Sequence, residues 1–546
     1  MQSVTLIHNR NKLIYRLKEM ALEDPALLEK EMVNQMGTRQ VPDDLRWSRC
    51  IVMSVAFIAW MLSAAAFAQS PTNVVWIIAD DLGPELGCYG YPGVSTPNLD
   101  RLAAKGARYI HAFSTAPVCS SSRTAFQTGQ YQTTVGGHHH NTRVKPKLPA
   151  STATVTGLMR KAGYFVCNGR GTADDDKRLA KSHFNFQYDS KTFFDGHDWT
   201  QRAAGQPFFA QVQIKEPHRT FVERTGNFPD APIPPYYPDH PVTRADWANY
   251  LSSIEVLDAK VGEVLDRLDA EGLADNTLVI FFGDHGRPHV RGKQWLYDGG
   301  LNVPLLVRWP GRVSPGTVDE RLVSLLDLMP TTLAAAGVAV PDQVKLVGSD
   351  LMNASWDGHE RLFAARDRCG EAVDRIRSVR TRDFKYIRNF YPEIPYMQHS
   401  SYKRLQYPVD TLMKVLHAEG QWTSPMMEAT RPSEELYDLT ADPHEMNNLA
   451  ADPAYREQLE SMRGDVEKWI RETDDKGRID ESQTVDLDAL RAEKWEWYTK
   501  TMKARGLDPN TSDREYLDWW MRELNVSEPN EAASSRGAEG SAKPAR

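Results

Sequence analysis

The stretch Val118-Cys119-Ser120-Ser121-Ser122-Arg123, closed by Thr128-Gly129, places a thiol and a guanidinium one helical turn apart. Pro117 ahead of it, serines suited to capping and Gly129 at its far end predict a short helix starting near Cys119. A helix N-terminus carries partial positive charge, so a thiol there, with Arg123 on the same face, is suited to hold a tetrahedral oxyanion. Three further clusters carry related chemistry. Asp80-Asp81 ends the apolar run 73–79, Gly283-Asp284-His285-Gly286 ends the run 277–282, and Lys215-Glu216-Pro217-His218-Arg219 ends the run 207–214. Lys293 follows in Arg291-Gly292-Lys293-Gln294-Trp295.

The runs that carry these clusters are short, continuous and rich in β-branched and aromatic residues, the pattern of strands buried on both faces of a parallel sheet. Parallel strands put their C-terminal ends on one edge, where open α/β sheets bind ligands. The clusters can therefore converge. Asp80, Asp81 and Asp284 with His285 would give an oxygen-rich set for a hard divalent cation, Ca2+ or Mg2+, rather than zinc. With that metal, Arg123, Lys293 and the helix start at Cys119 would surround one anionic group, as sulfuryl or phosphoryl transfer requires. His218 is placed to protonate a leaving group, and Arg219 beside it suits an anionic substrate. In His138-His139-His140 consecutive side chains cannot all face one ion, so His138 or His140 is expected to line the substrate pocket. The spacing does not choose sulfur over phosphorus.

Around these clusters, 98–105 and 327–337 read as helices, 108–113, 163–169 and 303–309 as strands, and 243–270 as a long amphipathic helix with Thr243 as its cap. Near residue 350 the strand–helix alternation stops. Shorter strands follow at 362–366, 376–380, 384–389 and 435–439, with a helix over 452–471. The expectation is an α/β fold: a large, mostly parallel sheet sandwiched by helices over 71–355, then a smaller antiparallel α+β domain over 356–524. Residues 391–431 read as a long irregular insertion on the substrate side, 484–524 as tryptophan-rich helices, and 525–546 as a disordered tail.

A formal charge of −8 spread over 546 residues gives no reason to expect nucleic acid, and five scattered cysteines do not make a disulfide scaffold. Residues 50–68 are almost unbroken apolar sequence ending Ala66-Phe67-Ala68-Gln69, preceded by Arg46 and Arg49. Residues 1–70 are therefore read as an N-terminal extension with an export signal, and the chain as periplasmic or secreted. A membrane partner follows only if that segment stays uncleaved as an anchor.

From about residue 73 to Asp442-Pro443 the chain resembles the type I sulfatases, whose superfamily has the alkaline-phosphatase-like fold. The resemblance rests on Asp80-Asp81, Cys119-x-x-x-Arg123 with Thr128-Gly129, Pro217-His218, Gly283-Asp284-His285-Gly286 and Gly292-Lys293. It implies that a formylglycine-generating enzyme converts Cys119 to 3-oxoalanine (formylglycine), whose hydrate is the nucleophile. It also implies that Asp80, Asp81, Asp284, His285 and modified Cys119 surround Ca2+, that Arg123 and Lys293 bind the anion, and that His218 serves the leaving group. Thr128 to Thr134 running into the histidines, Arg291 to Tyr297, Phe384 to Asn389 and Glu434 to Leu439 resemble the heparan N-sulfatase branch, which implies a sulfated glycan substrate. Two departures stand out. Ser121 replaces the usual proline or alanine two residues after the cysteine, and Arg170-Gly171-Thr172 stands where many members have Lys-x-His, with Arg170 left to bind sulfate. A phosphodiesterase or phosphonate hydrolase of the same superfold, and an inactive glycan-binding relative, are the competing readings.

Overall fold

The computed structural model describes residues 71–528, apart from 173–176, 225, 227 and 230. The expected export segment, the acidic run Asp174 to Asp176 and nearly all of the tail lie outside the described residues. Among the described residues no helix is long and apolar enough to cross a membrane.

The central sheet has seven strands: β1 (Asn73–Ala79), β2 (Ala107–Phe113), β3 (Phe165–Gly169), β4 (Phe208–Ile214), β5 (Thr277–Gly283), β6 (Leu305–Arg308) and β7 (Thr317–Ser324). Their order is β3-β4-β1-β5-β6-β2-β7, and only β6 runs antiparallel to its neighbours. β1 explains the two-layered cover. Every residue of it is buried. Its alternation sends Val75, Ile77 and Ala79 into one core and Val74, Trp76 and Ile78 into the other. On the first side lie α1 (Pro97–Ala104) and the long α4 (Pro241–Ala270), which packs Leu251, Ile254, Leu257 and Val261 there. On the second side lie α2 (Cys119–Thr128), α3 (Val155–Lys161) and α6 (Leu328–Ala335); a single turn, α5 (Asp298–Leu301), precedes β6.

α4 starts two residues before the expected cap. Pro241 occupies its first turn, where a missing N–H costs nothing, and His240 Nδ1 accepts the Val242 N–H at 3.1 Å. Thr243 lies inside the helix, and its buried hydroxyl has no hydrogen-bond partner. β7 was not expected at all. Thr317 to Arg321 alternates exposed and half-buried residues at the sheet edge and carries Asp319, Glu320 and Arg321, so no apolar run marks it.

The second sheet is wholly antiparallel, in the order β11 (Glu434–Asp438), β10 (Phe384–Asn389), β9 (Ile376–Arg380), β8 (Leu362–Arg366). α9 (Arg456–Glu472) covers it, with Leu459, Met462 and Val466 on Val379, Tyr386 and Leu436. The stretch 391–431 is not irregular throughout: it contains α7 (Ser401–Gln406) and α8 (Pro408–Ala418), with Ser400 accepting the Lys403 N–H and Pro408 opening α8. Two further helices, α10 (Leu487–Ala504) and α11 (Asp513–Glu523), pack on these through Leu405, Tyr498, Met502 and Tyr516.

Candidate active site

The C-terminal ends of β1, β4 and β5 bring the polar clusters to the start of α2. All ten residues of α2 are buried, and Gly129 ends it in the left-handed region at φ 63°. The serines do not cap it. Val118 is the capping residue, with no side-chain bond, while the hydroxyls of the helix tie it sideways. Ser121 Oγ donates to the His138 carbonyl at 2.9 Å, Ser122 Oγ donates to the Asp284 carbonyl, and Ser120 Oγ accepts from the Asn141 N–H at 3.0 Å. The loop bearing Lys293 is fixed to the same place. Lys293 N donates to the Arg287 carbonyl at 2.8 Å, and Gln294 N to the Pro117 carbonyl at 2.9 Å. Gly292 permits this close turn, because a Cβ there would sit 2.2 Å from the Arg287 oxygen.

Cys119 Sγ lies 3.3 Å from His285 Nε2 and 3.8 Å from Asp81 Oδ1. Lys293 Nζ donates to both Asp81 oxygens, at 2.8 and 2.9 Å. His285 Nε2 is 2.9 Å from Asp81 Oδ1, and His218 Nε2 is 3.9 Å from Asp81 Oδ2. Arg123 Nε donates to Asp284 Oδ2 at 2.8 Å and Nη1 to Gln213 Oε1 at 2.7 Å. Lys181 Nζ donates to Asp80 Oδ2.

These charges are out of water, so they act on one another strongly. Burial alone would raise the Cys119 thiol, but Lys181, Lys293 and His285 outweigh it and hold the pKa well below the ordinary value. Burial likewise opposes ionisation of Asp81, yet Lys293, His218 and His285 keep it below the carboxylate range. Burial and the Asp80 charge push Asp284 up to about 6.

A cavity of about 500 Å³ opens above Cys119. Its floor includes His140, Lys181, His183, His218 and Lys293. Among the expected residues His218, Lys293 and His140 meet at Cys119; Arg219, Arg123, His138 and Arg170 do not enter this cavity. Arg219 is locked elsewhere: its guanidinium pairs with Asp246 at 2.6 and 2.8 Å, donates to the Pro288 and Gln406 carbonyls, and lies over the Phe221 and Tyr407 rings. Four of its five N–H donors are engaged in this way and Arg219 does not line the Cys119 cavity, so the structure gives the expected binding role no support. Arg123 donates to Asp284 and lies 4.0 Å from Asp80, on the carboxylate side of the site. His138 is buried against His139, with ring centroids 4.2 Å apart, and borders a separate depression beside Pro146 and Lys476. Arg170 lines a neighbouring cavity of about 510 Å³ that touches Asp80, Arg123 and Lys181 from another side.

Lys181 and His183 were missed. They sit in a loop without apolar periodicity, but Lys181-Ser182-His183 is itself a Lys-x-His pair, so the apparent loss of that pair at 170–172 is corrected. The signal was present eleven residues further along the chain than the place where it was sought.

The carboxylates also fit a divalent cation. Donor atoms of Asp80, Asp81, Cys119 and His218, and of Asp80, Cys119, Asp284 and His285, cluster within 4.8 Å of one another. Asp80 Oδ1 is buried without a hydrogen-bond partner, as expected of an oxygen whose partner is an ion. Carboxylates supply two of the four donors in each group, and Asp80, Asp81 and Asp284 together give the oxygen ligands that a hard cation takes.

Comparison with known proteins agrees with this geometry. The family profile named Sulfatase matches residues 72–338, and one described as N-sulphoglucosamine sulphohydrolase, C-terminal, matches 283–399. The chain is 30% identical over 469 residues to an ulvan-active sulfatase of Formosa agariphila, covering 76% of this chain and 77% of the relative. It is 29% identical over 489 residues to human N-sulphoglucosamine sulphohydrolase, covering 77% and 94%. A solved structure described as a complex with its substrate D-glucosamine-2-N,6-O-disulfate superposes with a TM-score of 0.55 at 18% identity, over 74% of this chain and 98% of that one. That last likeness is one of fold.

Proposed function

Because the chain belongs to the sulfatase family, on its heparan N-sulfatase-like branch, we propose that sulfate leaves a sulfated sugar at Cys119 after conversion of that residue to formylglycine. The activity is hydrolysis of a sulfate ester or sulfamate. The observation that carries the site assignment is the convergence of Cys119, Lys181, His183, His218 and Lys293 on one cavity backed by three buried carboxylates.

Hydrated formylglycine at position 119 would supply one hydroxyl to attack sulfur and a second whose deprotonation would break the C–O bond to sulfate and restore the aldehyde, a route that serine lacks. Asp80, Asp81, Asp284 and His285 would hold Ca2+, which would draw charge from the sulfate oxygens. The remaining work falls to the chain's own side chains. Lys181 and Lys293 present fixed ammonium groups to the sulfate, a preorganised field in a site largely shielded from water. His218 lines the cavity 3.9 Å from Asp81 and gives a proton to the departing oxygen or nitrogen. Arg123 holds Asp284 in place and balances the carboxylates. Cys119 is only 1% exposed, so the formylglycine-generating enzyme must meet this segment before α2 is buried. That order fits an exported, periplasmic or secreted protein modified on its way out.

The test is inorganic sulfate release from a panel of sulfated mono- and disaccharides, with matched phosphate and phosphonate esters as competitors. Sulfate release from a sugar sulfamate or sulfate ester is the expected result. Faster turnover of the phosphorus esters, or no turnover of any member, would overturn it.

A further inference from the structure

The family profiles end at residue 399, yet the cavity above Cys119 is completed by Ser400, Tyr402, Glu493, Lys494 and Trp497 from beyond that point. We propose that Tyr402 and Trp497 form the wall that binds the sugar ring carrying the transferable sulfate. The proposal rests on the sulfated-sugar reading above.

Three observations support it. Tyr402 stands over Lys293, with Nζ 5.4 Å from the ring centroid, and its hydroxyl is buried without a hydrogen-bond partner. A buried, unpartnered hydroxyl is costly unless something else satisfies it, and Tyr402 borders the cavity. Burial pushes that phenol up to about 12, so it remains a neutral donor for a ring oxygen or hydroxyl next to the sulfate. Trp497 lies at the rim, one helical turn past Glu493 and Lys494 on α10, and keeps 39% of its surface exposed. An indole left uncovered beside a polar floor offers a flat apolar face, which matches the C–H face of a pyranose. Helix α10 is held in position to present it, through Tyr498 and Met502 packed on Leu405 and Tyr516.

The remaining rim groups fit the same occupant. Glu493 pairs with Lys494 at 3.2 Å and with Arg143, so the rim charges are engaged with one another, while Glu371 adds a carboxylate able to accept sugar hydroxyls. Beside Cys119 stand Lys181 and Lys293. The wall therefore takes a hydroxyl-rich ring that presents one anionic group downward. A cavity of about 500 Å³ has room for such a ring and little more than its neighbour.

The experiment compares wild type with Trp497→Ala, Trp497→Phe and Tyr402→Phe on whichever sulfated monosaccharide the panel identifies, with melting curves to confirm folding. Trp497→Ala is expected to raise KM by about tenfold with a much smaller change in kcat, and Trp497→Phe to recover most of the loss. Tyr402→Phe, which removes only the hydroxyl, is expected to raise KM by about threefold to tenfold. If wild type turns over the sugar and all three variants keep its KM within about twofold, the wall is disproved while the functional reading stands. If wild type turns over no sulfated sugar, the functional reading fails and the wall with it.

Discussion

Two cationic residues in this fold show how position decides role. Lys293 and Arg219 both follow strands of the central sheet in loops near the site, and both were read as anion-binding groups. Lys293 Nζ reaches Asp81 and borders the Cys119 cavity. Arg219 is matched on every side by Asp246, two carbonyls and two aromatic rings. Substituting Lys293 by alanine should lower kcat/KM for sulfate release by about 10²- to 10³-fold, because it removes a fixed charge aimed at the reacting anion. Substituting Arg219 by alanine should instead lower stability by about 3–5 kcal/mol, since Asp246 would be left charged and buried. Denaturant unfolding beside steady-state kinetics separates the two effects. At this scale the carboxylates, Cys119, His218 and Lys293 were legible because each follows an apolar run or a glycine-framed motif. Lys181 and His183 were not, because their loop has neither.

Among the elements, α2 carries the strongest constraint. The helix is buried along its whole length and ends where the chain must turn in the left-handed region, so its limits follow from Pro117 and Gly129. A Cβ on Gly129 would meet Leu346 Cδ2 at 2.7 Å and Met329 Sδ at 3.0 Å, besides the strain of φ 63°. Gly129→Ala is therefore expected to cost about 1–3 kcal/mol and to displace Cys119, measured as a lower melting temperature together with lower sulfate release. The serines were misread as caps because a cap and a side-chain tether use the same residue types, and only tertiary neighbours tell them apart. β7 and the helices of 401–418 were illegible for a related reason. Their amphipathic patterns are short or interrupted by charge, and they form against surfaces supplied by distant segments.

For the molecule as a whole, the fold class was legible because one rule does most of the work: buried parallel strands align their ends, and the clusters at 80–81, 215–219 and 283–286 each followed such a strand. The second sheet was equally clear, with β8, β9 and β10 at the expected residues. What the sequence could not show was which C-terminal side chains close the cavity, since Tyr402 and Trp497 reach it only through packing of α7 against α10. The gathering of Asp80, Asp81 and Asp284 is expected to link stability to the proposed cation. Chelation should lower the melting temperature and abolish sulfate release, and Ca2+ should restore both; unchanged melting and activity after exhaustive chelation would contradict the metal assignment.

The central claim is that Cys119 does not act as a thiol. Mass analysis of the tryptic peptide containing Cys119, taken from protein made in its native host and shown to release sulfate, tests this most directly. The account predicts an aldehyde at residue 119, confirmed by hydrazone formation. Sulfate release by protein in which that peptide carries only a free thiol would contradict it.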